Sequence, residues 1–206
     1  MENNIFFLPY IGKYFANGGL FGKRIMILGE SHYCDGGCCD CGNCHLYKQC
    51  ANFTQDVLCD FLDETKVRQK WMRTFVKFER SLVGKMTDWA LRQKIWDSVM
   101  FYNYLQVAMS GPRKAGTSAQ YKQAANAFFE VIDKYEPECI IVWGKRLWNN
   151  MPNERWQDVV DGNHIATGYY LLSNGKRAKV VAVYHPSGGY SWDYWHKVIQ
   201  GLLASI

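Results

Sequence analysis

Four short apolar runs constrain the fold more than any other feature: Ile25–Leu28, Val99–Tyr104, Cys139–Trp143 and Lys179–Tyr184. Each is rich in branched or aromatic residues, is too short for a self-supporting helix, and gives way to glycine or a polar residue. Runs of this kind suit parallel strands, which are covered on both faces and carry little polar alternation. Between them lie segments with helical periodicity. Short connections and right-handed crossovers then predict an α/β fold, a three-layer α/β/α sandwich around a central, mostly parallel four-stranded sheet. A tight Ser173-Asn174-Gly175 turn joins the last run to a further strand, Gly168–Leu172.

Helices are expected at Pro9–Phe15, Phe53–Leu62 and Lys66–Leu82, the last with Trp71, Phe75, Phe78 and Leu82 on one stripe and cations opposite. Another opens at Thr87-Asp88 and runs through Trp96. A longer one is capped at Thr117 or Ser118 and stops at Tyr135, before Pro137. Shorter helices are expected at Lys145–Asn150 and Ser191–Leu203. A chain of 206 residues with this pattern is one domain, residues 1–206, with a cysteine-rich insertion at about 34–50.

No stretch reaches the ~18 apolar residues that span a bilayer, so no membrane contact is expected. The start, MENNIFFLPYIGKYF, lacks the basic opening of a secretory signal, which predicts a cytoplasmic protein. The net charge of +5 permits a polyanionic partner without requiring one. In the cytoplasm, the 8 cysteines read as thiols or metal ligands rather than disulfides. Six of them fall between Cys34 and Cys50, with Cys38-x-x-Cys41 and Cys41-x-x-Cys44 overlapping. That spacing predicts one structural zinc ion, drawn from Cys34, Cys38, Cys41, Cys44 and Cys50. An iron–sulfur cluster or free thiols are the alternatives.

The ends of the strands carry the chemistry. In an open α/β sheet, ligands bind beyond the carboxyl ends of the strands. Gly29, Glu30, Ser31, His32 and Tyr33 leave the first strand together, Asn103 closes the second, and His185-Pro186-Ser187-Gly188-Gly189 follows the last. Taken singly, Glu30 could cap a turn, His32 could pack locally and Asn103 could sit in an ordinary turn. Taken together, an acid, an amide and an imidazole are expected at one edge of the sheet.

Leu28-Gly29-Glu30-Ser31-His32-Tyr33, Phe101-Tyr102-Asn103, Ile140–Gly144 and Val183-Tyr184-His185-Pro186-Ser187 together resemble the motifs of the uracil-DNA glycosylase superfamily, in order, over most of the chain from Arg24 to Ile206. The resemblance implies an N-glycosylase acting on uracil or another damaged base in DNA, as a monomer and with no cofactor needed for catalysis. It assigns Glu30 to orienting water and stabilising an oxocarbenium-like sugar, and His185 to donating a hydrogen bond to the departing base. It assigns Asn103 to reading the base edge, with Tyr33 or Phe53 stacking on the extruded ring. Gly29, Ser31, His32 and Ser187 would line the substrate site. Arg113, Lys114, Gly188, Gly189 and a wedging Tyr190 would meet the nucleic acid. His32 stands where that family carries proline, and the cysteine-rich insertion matches none of its branches. The alternative of a different class is a catalytically inactive nucleic-acid or nucleotide-binding module on the same fold. An esterase-like or haem-binding hydrolase ranks lower, since it leaves Asn103 and His-Pro-Ser without a role.

Overall fold

The computed structural model describes residues 4–34, 47–158 and 167–206. In chain order these form β1 (Tyr10–Ile11), β2 (Ile25–Gly29), α1 (Phe53–Leu62), α2 (Met72–Val83), α3 (Trp89–Trp96), β3 (Val99–Asn103), α4 (Ser118–Tyr135), β4 (Cys139–Trp143), α5 (Lys145–Trp148), β5 (Trp156–Asp158), β6 (Thr167–Leu171), β7 (Arg177–Val183) and α6 (Trp192–Ala204), besides short 3-10 turns.

The fold is α/β, and its strands form one mixed sheet in the order β1-β3-β2-β4-β7-β6-β5. The expectation of a four-stranded sheet is therefore corrected to seven strands among the described residues. The four expected strands are its centre: β3, β2, β4 and β7 pair in parallel. Antiparallel strands extend both flanks, β1 on β3, β6 on β7 and β5 on β6.

Side chains of the central strands alternate between two cores. Ile25, Ile27, Val99, Phe101, Cys139, Ile141, Trp143, Val181 and Val183 pack with α1, α2, α3 and α6. Met26, Leu28, Met100, Tyr102, Ile140, Val142, Ala178 and Val180 pack with α4 and α5 on the opposite face. Each strand is apolar on both sides because each side meets helices.

Two expected helices change. Pro9–Phe15 holds β1 instead, with Tyr10 opposite Phe101 and Ile11 opposite Met100. A Cβ on Gly12 would run into the main chain of Trp96 and Asp97, so the segment passes flat against the α3–β3 connection, where a helix has no room. The second helix begins at Met72 rather than Lys66. Asp63 accepts from the Thr65 amide (2.9 Å), and its carbonyl accepts from Lys66 N (3.2 Å), which ends α1 in a turn and leaves Val67 85% exposed. The stripe itself holds: Phe75, Phe78 and Leu82 are buried and Trp71 packs beside them.

The same face buries a charge. Glu79 is wholly enclosed and takes three hydrogen bonds from Arg92 (2.8–3.1 Å), one from Trp96 Nε1 (3.2 Å) and one from Thr87 Oγ1. The guanidinium of Arg92 lies over the rings of Phe61 (4.9 Å) and Trp89 (5.3 Å). Five hydrogen bonds on one carboxylate satisfy what burial would otherwise leave bare.

Local signals fix several boundaries. Thr117 and Gln120 form a reciprocal capping box at the start of α4, which ends at a left-handed Glu136 just before Pro137. Asp88 caps α3 by accepting from Leu91 N (2.8 Å).

Candidate active site

The carboxyl ends of β2, β3 and β7 lie at the same edge of the sheet, as parallel pairing through β4 requires. Gly29, the last residue of β2, is small of necessity: a Cβ there would strike Asn103 Oδ1 and come within 3.1 Å of Phe101 Cζ. The chain beyond it stays tied to the segment after β3. Tyr104 N donates to Gly29 O (2.9 Å), Leu105 N to Glu30 O (2.9 Å), Met109 N to His32 O (2.8 Å) and Cys34 N to Met109 O (2.9 Å).

Glu30 turns toward α4 and α5. Arg146 donates from Nε to Oε1 (2.7 Å) and from Nη2 to Oε2 (2.6 Å), and Tyr121 donates its hydroxyl to Oε1. The Arg146 side chain remains 41% exposed while that of Glu30 is 11% exposed, so the pair stands at the rim. Its other donors reach the carbonyls of Arg113 (3.1 Å) and Lys114 (3.3 Å). The side chains of Arg113 and Lys114 are exposed. Arg113 takes a left-handed φ of 68°. The Glu30 carboxylate pushes the Arg146 guanidinium above its usual range. Tyr33, half exposed above Glu30, has its phenol raised, first by burial and then by that carboxylate.

Asn103 and His32 meet instead of standing apart. Asn103 Nδ2 lies 3.2 Å from both ring nitrogens of His32, and His32 Nε2 lies 2.8 Å from Thr54 Oγ1. The imidazole stacks on Phe53 at 4.5 Å between centroids and 15° between planes, and meets the edge of Phe7 at 4.8 Å. Burial lowers its pKa to about 3, so the ring is neutral. The tautomer that satisfies all partners carries the proton on Nε2 toward Thr54 and accepts Asn103 Nδ2–H on Nδ1.

His185 follows β7. Ser187 N–H donates to its Nδ1 (3.2 Å), and Ser187 Oγ lies 2.8 Å from the same atom. Nδ1 is thus the acceptor, which places the ring proton on Nε2, a neutral donor. Burial lowers the pKa of His185; the Glu30 carboxylate opposes this and Arg146 adds to it. Glu30 and His185 therefore act on one another across the end of β4. Gly144, at φ 95°, leaves the room for this, since a Cβ would come 3.3 Å from His185 Cβ. Trp143 meets the imidazole edge-on at 6.0 Å.

Of the expected site residues, Gly29, Glu30, Ser31, His32, Tyr33, Asn103, His185 and Ser187 share this edge, and Phe53 joins them through His32. Tyr190 does not fit a wedge. Its ring is 8% exposed, stacks on Trp195 (6.1 Å, 16°) and bonds through its hydroxyl to Ser81 Oγ (2.7 Å). A ring that fills the α2–α6 core has left the surface; Gly188 and Gly189, just before it, are exposed. Cys38, Cys41 and Cys44 lie outside the described residues. Cys34 and Cys50 pack against the Phe7 and Ala108 cluster. Among the described residues, no group of three or more His, Cys, Asp or Glu side chains is placed to hold a metal ion, and no helix is long and apolar enough to cross a membrane.

Sequence reasoning missed Arg146, Tyr121 and Thr54. Arg146 carried a signal, because it follows β4 and Gly144 at the same edge. Tyr121 and Thr54 lie in the first turns of amphipathic helices and look like any core-facing residue. Neither a family model nor a curated protein matches the chain.

Proposed function

We propose that this chain is a DNA glycosylase-like enzyme that hydrolyses the N-glycosidic bond of uracil or another damaged base. The observation that carries the reading is geometric: a carboxylate and an imidazole, Glu30 and His185, follow β2 and β7, the two strands that flank β4 in parallel, at one edge of the sheet. Breaking the base–sugar bond leaves its electron pair on the base and positive charge on the sugar. His185 Nε2–H supplies a hydrogen bond to the oxygen that gains negative charge, without having to lose its proton. Glu30 faces the sugar cation and orients the water that adds to it; the water's proton passes to the carboxylate or to solvent. Arg113 and Lys114 offer exposed cations to phosphates. The finer reading of the fold, a three-layer sandwich built on the four central parallel strands, belongs with this proposal, as do a cytoplasmic, monomeric protein and a single structural zinc ion in the Cys34–Cys50 loop. Elemental analysis of purified protein showing no metal above background removes the zinc.

The test is single-turnover excision of uracil from single- and double-stranded oligonucleotides by wild type, Glu30→Gln and His185→Ala. Excision by the wild type that is lost in both variants is the expected outcome. A second reading, a nucleic-acid or nucleotide-binding module without catalysis, has an observation of its own: Glu30 is already gripped by Arg146, and Asn103 is already engaged by His32. Binding without excision in all three proteins decides for the module.

A further inference from the structure

The connection from α1 to α2 concentrates positive charge. Lys66-Val67-Arg68-Gln69-Lys70-Trp71-Met72-Arg73 holds four cations and no acid. Because α2 begins only at Met72, Arg68 lies on no helix face; its guanidinium stacks over the rings of Trp89 (4.6 Å) and Phe61 (5.7 Å), the same two rings that Arg92 covers. Arg92 engages Glu79 through Nε and Nη2. Arg68 uses Nη1 alone, which donates to Phe61 O (3.0 Å) and toward Met72 Sδ (3.7 Å). Its Nε and Nη2, the edge with which a guanidinium grips an oxyanion through two parallel bonds, meet no acceptor among the described residues. Arg68, Lys70, Met72, Arg73, Val76 and Arg92 surround an open pocket of about 420 Å³, within the range of small-molecule sites. Lys66 is matched by Asp60 (3.1 Å), but among the described residues Arg68, Lys70 and Arg73 form no ion pair. Burial and then the charge of Arg92 lower the pKa of the Arg68 guanidinium, against the pull of Glu79. An anion at its free edge would reverse that shift.

We propose that this pocket binds a phosphomonoester dianion, with Arg68 gripping two phosphate oxygens side-on, Lys70 and Arg73 balancing the charge, and Met72 and Val76 backing the apolar part of the ester. Three features select this class. The stacked guanidinium is held in one orientation by two rings and the Phe61 carbonyl, which suits a planar two-point grip rather than a diffuse attraction. Three unpaired cations on one pocket exceed what a single carboxylate would neutralise and match a group that carries nearly two charges at neutral pH. The pocket is larger than a bare phosphate needs, and the Met72 and Val76 side chains give its wall an apolar part. None of these residues belongs to the edge that holds Glu30, Asn103 and His185, so the proposal is independent of the glycosylase-like reading.

The test is calorimetric titration of phenyl phosphate, phenyl sulfate and inorganic phosphate into the full chain, as wild type, Arg68→Gln, Arg68→Lys, Arg73→Gln and Lys114→Ala, with thermal melts of each. Phenyl phosphate is expected to bind wild type at one site, about tenfold or more tightly than phenyl sulfate, which has the same shape and a single charge. Inorganic phosphate, without the ring, binds more weakly than the ester. Arg68→Gln and Arg73→Gln each weaken phenyl phosphate by about tenfold or more, and Arg68→Lys, which keeps the charge without the fork, weakens it too. Lys114→Ala binds as wild type does. No binding by wild type overturns the proposal, as does equal affinity for sulfate and phosphate esters, or full binding by Arg68→Gln or Arg68→Lys. Loss in Lys114→Ala alone puts the anion at the sheet edge and also overturns it. If Arg68→Gln does not fold, the exposed Arg73→Gln decides on the same criterion. Competition by short oligonucleotides separates the sources of the phosphate. Displacement by a 5′-phosphorylated strand but not its 5′-hydroxyl counterpart supports a nucleic-acid end as ligand, and displacement by neither supports a free ester. Displacement by both means that the pocket reads backbone charge, and the proposal falls.

Discussion

Two carboxylate–guanidinium pairs serve opposite ends in this molecule. Glu79 and Arg92 are sealed inside the helical layer, where Trp96 and Thr87 complete the carboxylate's hydrogen bonds and aromatic rings cover the guanidinium. Glu30 and Arg146 show the same forked geometry at the sheet rim, with the guanidinium open to solvent and the bracing supplied by loop carbonyls and Tyr121. The buried pair cannot exchange partners without leaving a charge in an apolar core. The rim pair can, because water can take up whichever half is released. Geometry alone does not mark a functional ion pair; access does.

The largest effect that separates them is on stability. Arg92→Ala strands the Glu79 carboxylate and is expected to cost about 3–5 kcal/mol in denaturant unfolding, with excision per folded molecule unchanged. A loss below 1 kcal/mol would place the two pairs in the same class. The counterpart at the rim is Glu30→Gln, expected to slow single-turnover excision by about 100-fold or more while moving stability by about 1 kcal/mol or less. If it unfolds the protein instead, Glu30 is structural and the contrast disappears.

Acid sharpens the comparison next, because the rim holds a buried neutral histidine that the Glu79 pair does not touch. His32 falls from 6.5 to about 3 on folding. Between these values the unfolded chain binds a proton that the folded protein refuses, so stability drops as pH is lowered from about 6.5 toward 3. The slope is up to about 1.4 kcal/mol per pH unit from this ring. Urea melts at stepped pH should show that slope flattened in His32→Gln. Hydrogen exchange should show the amides of Tyr104, Leu105 and Met109 losing protection before those of α2. The smallest effect concerns Tyr190→Phe, which removes the bond to Ser81 and is expected to cost about 1 kcal/mol without changing DNA affinity. A fall in affinity would return that ring to the interface.

What could be read in the sequence follows the range of the forces involved. The boundaries of β4 and α4 depend on residues within a few positions of each other: a branched run closed by Gly144, and a Thr117–Gln120 box closed by Pro137. They were legible for that reason. β1 and β5, two and three residues long, have no period to show, and their strand character comes only from the neighbour they pair with. The site divides in the same way. The convergence of Glu30, Asn103 and His185 was legible because each ends a recognisable strand. The grip of Arg146 on Glu30 joins residues 116 positions apart, and the burial of Glu79 breaks the rule that charges lie opposite the apolar stripe. The wedge role of Tyr190 came from the resemblance alone, whereas the place of its ring depends on Ser81, 109 residues earlier.

The lacing of residues 29–34 to residues 104–109 through main-chain atoms has a consequence for how such a protein can change. Those bonds ask nothing of the side chains they carry, so the half-exposed position 33 can be rewritten by mutation while the scaffold beneath it keeps its shape, whereas Glu30 and His32 are also held through their side chains. Descendants of this chain could vary the surface beside Glu30 one substitution at a time, without passing through forms that fail to fold.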